Sequence, residues 1–121
     1  MLARAGWVVE GRQITRTLAL EVDGAPTEAR VRCDLLVRRG LRRCVAEVKT
    51  GALAPRIDHA PTRRQLLEYR LAFDVDGVLL VDVEAGRVIE VRFPLPPRRS
   101  SLGALALAFA AGAAIAWASM R

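Results

Sequence analysis

Three side chains suited to hydrolytic chemistry, Asp34, Glu47 and Lys49, lie close together in the chain. Two apolar runs, Val31–Val37 and Cys44–Val48, flank a basic turn that contains Gly40. A two-residue turn with glycine at its first central position suits a tight hairpin. With Gly40-Leu41 as that turn, Arg39 faces Arg42 and Asp34 lies opposite Glu47. Strand side chains alternate between faces. Glu47 and Lys49 are therefore expected to share one face with Asp34. Cys33, Leu35, Val37, Cys44, Ala46 and Val48 take the other face, which can be buried.

Two ionised carboxylates directly opposite each other repel, and a divalent cation between them would offset that. Mg²⁺ takes one or two carboxylates together with water and phosphate oxygens. A lysine beside it can orient or deprotonate a water, or stabilise charge on the phosphate. This is the chemistry of phosphodiester hydrolysis. A salt-bridged surface hairpin is the competing reading of Asp34 and Glu47 taken alone. Lys49 weighs against it, because it is the one lysine among 19 basic residues, in a chain that otherwise uses arginine.

The elements around the hairpin must hold this set in place. Pro61 suits the first turn of a helix, and the spacing predicts a helix over Pro61–Phe73 with Leu66, Leu67, Leu71 and Phe73 on its apolar stripe. Gln65 and Tyr69, four apart, share a face. Taken alone they read as a tyrosine packed on the sheet with a glutamine beside it. After Asp34 and Glu47-Val48-Lys49, they complete a pattern that resembles the PD-(D/E)XK nuclease superfamily, in its RecB-like branch with a Gln-x-x-x-Tyr helix motif. The resemblance covers roughly residues 6–93. One departure is visible: the superfamily core usually opens with a helix, often carrying an acidic residue. Here only Met1–Ala5 precede Gly6, and Glu10 is the nearest acid.

The resemblance implies an α/β fold, a small restriction-endonuclease-like mixed sheet flanked by a helix. It implies Mg²⁺ or Mn²⁺ held by Asp34, Glu47 and the Val48 carbonyl, with Lys49 positioning or activating the attacking water. Gln65 would help hold that water or a phosphate, and Tyr69 would contact the DNA backbone or wall the site. Arg56 in the preceding loop, and Arg63 and Arg64 on the helix, are candidate phosphate contacts. The implied function is metal-dependent hydrolysis of nucleic acid, DNA above all, by a deoxyribonuclease-like hydrolase. The short N-terminus supports a second reading, a non-catalytic nuclease-fold module that binds nucleic acid or a protein partner at the membrane.

The rest of the chain is read more coarsely. Leu2–Ala5 suit a last helical turn closed by Gly6, Trp7–Glu10 and Arg12–Val22 two strands, and Asp23–Pro26 a turn. Gly51–Pro61 is a loop in which His59 reads as surface. Val75–Val83 is a strand buried on both faces, with Asp76 left open as a neighbour of the metal, and Val88–Phe93 is an edge strand. The two cysteines are expected to be reduced, about 13 Å apart on one face. The dispersed cysteines and single histidine exclude a four-ligand zinc site. Before the tail the balance is 16 basic to 13 acidic residues, mildly basic. Residues 94–101 read as a Pro/Arg linker. Residues 102–120 carry no charge and are expected to form a membrane-spanning helix of about 28 Å. Arg98 and Arg99 would keep the globular domain cytoplasmic. Ala108, Gly112 and Ala116 would offer a small-residue seam for a homodimer.

Overall fold

The computed structural model describes residues 1–96. A 3₁₀ turn, Ala3–Ala5, ends at Gly6, whose φ of 87° is the left-handed conformation that glycine adopts without penalty. Five strands and one helix follow: β1 (Val8–Val22), β2 (Ala25–Arg39), β3 (Arg42–Lys49), α1 (Ala60–Ala72), β4 (Gly77–Asp82) and β5 (Arg87–Val91). The strands form one mixed sheet in the order β1-β2-β3-β4-β5. Only β3 and β4 run parallel. A parallel pair needs a long crossover, and α1 with its leading loop provides it.

The central hairpin has the register expected of a two-residue turn. Arg39 pairs with Arg42 and Leu35 with Ala46, and Gly40 supplies the positive φ of 61°. The N-terminal half differs from expectation. It is one continuous 15-residue strand, β1, not two. Gly11 reads as a break, but the strand runs through it with a register shift between Val9 and Gly11. A Cβ at Gly11 would lie 2.9 Å from Ile14 Cδ1, so glycine lets the bulged backbone come close. Asp23 and Gly24, both at positive φ, form a two-residue turn into β2. β2 pairs with β3 only over Leu35–Arg39. Its first ten residues pair with β1 alone, and the two strands run on as a ribbon.

A second difference concerns the faces. Cys33 and Val31 pack on the α1 side with Val45, whereas Leu35 and Val37 pack on the opposite side with Cys44 and Ala46. Strict alternation would keep Cys33 with Leu35. The switch falls at Asp34, opposite Gln13, whose φ of 50° places it in the left-handed region. Arg12 pairs with Leu35 and Ile14 with Cys33 in one register, and Gln13 and Asp34 between them form no ladder pair. The two cysteines are therefore in separate clusters, both free and buried. Burial pushes the Cys44 thiol up to about 11.

The helix lays Leu66, Tyr69 and Phe73 on Val31, Cys33, Val45, Val78 and Leu80. Its buried stripe begins at Thr62, and Leu71 is 53% exposed, so the helix is rotated from the expected stripe. Trp7, Val37, Cys44, Ala46, Leu79 and Val81 form the cluster on the other face. Val48, expected there, is exposed. As expected, β4 is buried on both faces, and β5 forms a sheet edge.

At the far end of the sheet, the Arg42 guanidinium reaches across β4 to Glu90 with two bonds of 3.0 and 2.7 Å. Gly77 lies under this fork, where a Cβ would sit 3.4 Å from both partners. Arg42 holds the Glu90 carboxyl down at about 2 from the usual 4.5, and Arg92 adds to it. A depressed carboxylate stabilises the fold above its unfolded pKa, and the contribution fades as pH falls through its folded one. Wild type should therefore lose stability between about pH 4.5 and 2 more steeply than Glu90→Gln. Urea unfolding at pH 7 and pH 3 checks this, and parallel losses in the two proteins would refute it.

The expectation of a membrane-spanning C-terminal helix is corrected. Among the described residues no helix is long and apolar enough to cross a membrane. The one α-helix among the described residues has 13 residues, about 20 Å, and carries Arg63, Arg64, Glu68 and Arg70. Residues 102–120, with the seam for a homodimer, lie outside the described residues. Neither a single-pass anchor nor a membrane location for the domain is supported. The described fold class is a mixed five-stranded sheet with one helix.

Candidate active site

β2 and β3 part at Asp34. Their pairing stops at Leu35 and Ala46, while β3 runs on through Glu47, Val48 and Lys49 beside β4. The Asp34 carboxylate spans the fork and accepts a 3.0 Å hydrogen bond from the Val48 N–H. A side-chain oxygen thus takes the place of a strand carbonyl. This follows from the face switch: Asp34 is directed along the sheet toward its neighbour strand, not onto the face expected from alternation.

Glu47 and Lys49 point to the α1 side, as their parity with Val45 requires. Glu47 is only 4% exposed. A buried carboxylate must be paired and hydrogen-bonded, and both of its oxygens are. Lys49 Nζ lies 3.1 Å from Oε2. The Tyr69 phenol donates to Oε1 at 2.7 Å. Gln65 Nε2 in turn donates to the Tyr69 oxygen at 2.8 Å. The helical spacing of Gln65 and Tyr69 creates this relay, since residues four apart stack along one face. Burial, the bond to Glu47, and the charges of Glu47 and Asp34 push the Tyr69 phenol far above its usual range. It stays protonated and acts as a fixed donor.

The structure therefore brings Asp34, Glu47, Val48, Lys49, Gln65 and Tyr69 to one place. It does not do so for every arginine. Arg56 is held by Asp58 through bonds of 3.0 and 2.7 Å, and Arg63 donates to the Ile57 carbonyl. Arg64 is exposed on the helix. Tyr69 is 2% exposed, so contact with a DNA backbone is closed to it. Asp76 lies at the other end, where its carboxylate accepts from the Arg43 N–H at the start of β3.

Sequence reasoning missed Thr62. It is buried in the first turn of α1, and its hydroxyl donates to the Ala54 carbonyl at 2.6 Å, which ties the loop after β3 to the helix. A threonine just after Pro61 was the only available signal. On β3, the Lys49 carbonyl accepts from the Val83 N–H at 3.1 Å, so the strand end that carries the lysine is held from both sides.

As a donor set, Asp34, Glu47 and the Val48 carbonyl are hard oxygens, which suit Mg²⁺ or Mn²⁺. Each carboxylate retains lone pairs beyond the bonds it makes. Among the described residues no cluster of three or more histidine, cysteine, aspartate or glutamate side chains forms a metal cage. A two-carboxylate site of this kind would leave most positions to water and phosphate.

The chain matches no family model and no curated protein. Among solved structures it is similar to the crystal structure of SSO0001, with a TM-score of 0.55 at 21% identity. The match covers 71% of this chain and 43% of that one, so this chain spans less than half the length of that protein. At that identity the likeness is one of fold alone, and it assigns no family or activity.

Proposed function

We propose that this chain is a metal-dependent nuclease-fold domain that hydrolyses phosphodiester bonds in nucleic acid, DNA above all, as its resemblance to the PD-(D/E)XK superfamily implies. The observation that carries this reading is the relay Gln65–Tyr69–Glu47–Lys49, assembled beside Asp34 where two strands part. Asp34, Glu47 and the Val48 carbonyl would hold Mg²⁺ or Mn²⁺. Bound there, the ion supplies Lewis acidity toward a phosphate oxygen and lowers the pKa of a water. Tyr69 fixes the orientation of Glu47, and Gln65 fixes Tyr69. Lys49 places a positive charge at the mouth of the site, where it orients the attacking water and offsets charge on the phosphate. Tyr69 thus serves as a positioning residue.

One observation favours the alternative, a non-catalytic binding module. Glu47 is already satisfied by Lys49 and Tyr69, so the set is stable without a metal. Incubating the full chain with end-labelled DNA in Mg²⁺, Mn²⁺ or EDTA separates the two. Cleavage with metal and none with EDTA is expected. Binding of DNA with no cleavage in either metal would transfer the assignment to the module.

A further inference from the structure

The ribbon formed by β1 and the first ten residues of β2 starts at the site and runs beyond it. β2 lies antiparallel to β3. Its residues before Asp34 therefore continue past the end of β3 that carries Lys49. Near the site one face of this ribbon is basic. Thr15 pairs with Arg32 and Thr17 with Arg30, and paired residues share a face. Val31 and Cys33 pack toward α1, so Arg30 and Arg32 project from the opposite side. Arg12 joins them there, because its partner Leu35 packs on that side as well. The face switch at Asp34 brings this about. Unbroken alternation would have put Arg12 on the α1 side relative to the two others.

These three arginines differ from five others in the chain. Arg38, Arg42, Arg43, Arg56 and Arg92 are all paired with carboxylates. Arg12, Arg30 and Arg32 are exposed. Among the described residues no carboxylate forms a salt bridge with any of them. Arg30 and Arg32 stand about 7 Å apart on one strand, a spacing that two successive phosphates of a polynucleotide can meet. Further out on the same face the charge reverses, with Glu28 opposite Ala19 and Glu21 opposite Pro26. The reversal limits an anionic partner to the base of the ribbon, next to the fork.

We infer that Arg12, Arg30 and Arg32 form a phosphate-backbone contact face beside the fork, on the side of the sheet away from α1, which holds nucleic acid that passes the end of β3 to reach Glu47 and Lys49 on the α1 side. The inference rests on the nuclease-fold reading and names the surface by which that domain holds its substrate. Contacts of this kind position the substrate without reading bases. Each phosphate neutralised contributes about 0.9 to the salt slope for duplex DNA and about 0.7 for a single strand.

The test is fluorescence anisotropy with a labelled 30-base-pair duplex and the matching single strand. Both are titrated with the full chain in EDTA, between 50 and 200 mM salt. Wild type is compared with the triple variant Arg12→Gln, Arg30→Gln, Arg32→Gln, and with Arg87→Gln on the far edge of the sheet. The triple variant should lose at least tenfold in affinity at the middle of that range. Its log–log salt slope should fall by about 2 to 3, while Arg87→Gln stays within twofold of wild type. Mn²⁺ binding by the triple variant should match wild type, which shows that the fold and the carboxylates are intact. If the triple variant retains the wild-type affinity and slope, the contact face is wrong and the nuclease-fold reading stands. If wild type binds neither nucleic acid, the face and the nucleic-acid substrate fall together.

Discussion

Lys49→Ala should abolish most metal-dependent cleavage and at the same time weaken the fold. Removing a charge donor of this kind costs about a hundredfold to a thousandfold in rate. The stability loss comes from Glu47. Its side chain is 5% exposed and would keep only the Tyr69 hydroxyl as a partner. Breaking a buried pair from one side costs about 3–5 kcal/mol. Lys49 itself is 22% exposed, so a loss of about 2–3 kcal/mol is expected. The informative comparison is the double variant Glu47→Leu, Lys49→Met, made together with Tyr69→Phe because the phenol would otherwise lose its acceptor in a buried position. Replacing both members of a buried pair by apolar residues of similar volume is often neutral or stabilising. If the pair is there for chemistry, this combined variant should be at least as stable as wild type, with no cleavage. Urea unfolding midpoints and cleavage rates on the three proteins decide this. A Lys49→Ala protein that cleaves at the wild-type rate would remove the lysine from the mechanism. A combined variant as unstable as Lys49→Ala would make the pair structural.

Much of this site is legible in the sequence because two short-range rules set it. A two-residue turn fixes the hairpin register, so Leu35 opposite Ala46 follows from Gly40-Leu41 alone. Helical stacking at four residues brings Gln65 under Tyr69. The helix itself, Ala60–Ala72, begins and ends one residue before its expected bounds. What the sequence hides are the places where the backbone departs from its period. Gln13 takes a left-handed conformation with no glycine to announce it, opposite Asp34, where Cys33 and Leu35 part to opposite faces. Gly11 signals a break but serves as a bulge in a continuous strand. Composition also misleads about partners. Arg56 and Arg63 look available for phosphate, but the loop folds back so that Asp58 and the Ile57 carbonyl hold them. Arg12, Arg30 and Arg32, which have no carboxylate partner among the described residues, lie on the ribbon, where the face switch brings Arg12 to the side of the other two.

Asp34 distinguishes a carboxylate kept for metal from one kept for the fold. Its oxygen replaces a strand carbonyl for the Val48 N–H at 3.0 Å. An asparagine retains an acceptor oxygen in that position, so Asp34→Asn should keep the fork and the wild-type thermal midpoint. It loses the negative charge that a hard cation requires. Changes outside the ligand shell typically weaken metal binding by 10–100-fold, so removal of a direct carboxylate should cost at least about a hundredfold. Asp34→Ala removes the acceptor as well and should add a stability loss of about 1–2 kcal/mol, the cost of leaving a strand N–H without its partner. Calorimetric titration of Mn²⁺ into the full chain, with thermal melts of each variant, reads both effects. Saturable binding in wild type, lost in Asp34→Asn while its melt is unchanged, would assign the carboxylate to metal. Equal binding in wild type and Asp34→Asn would leave Asp34 as a strand-end brace. In that case the fork would owe its shape to Asp34 and its chemistry, if any, to Glu47 and Lys49 alone.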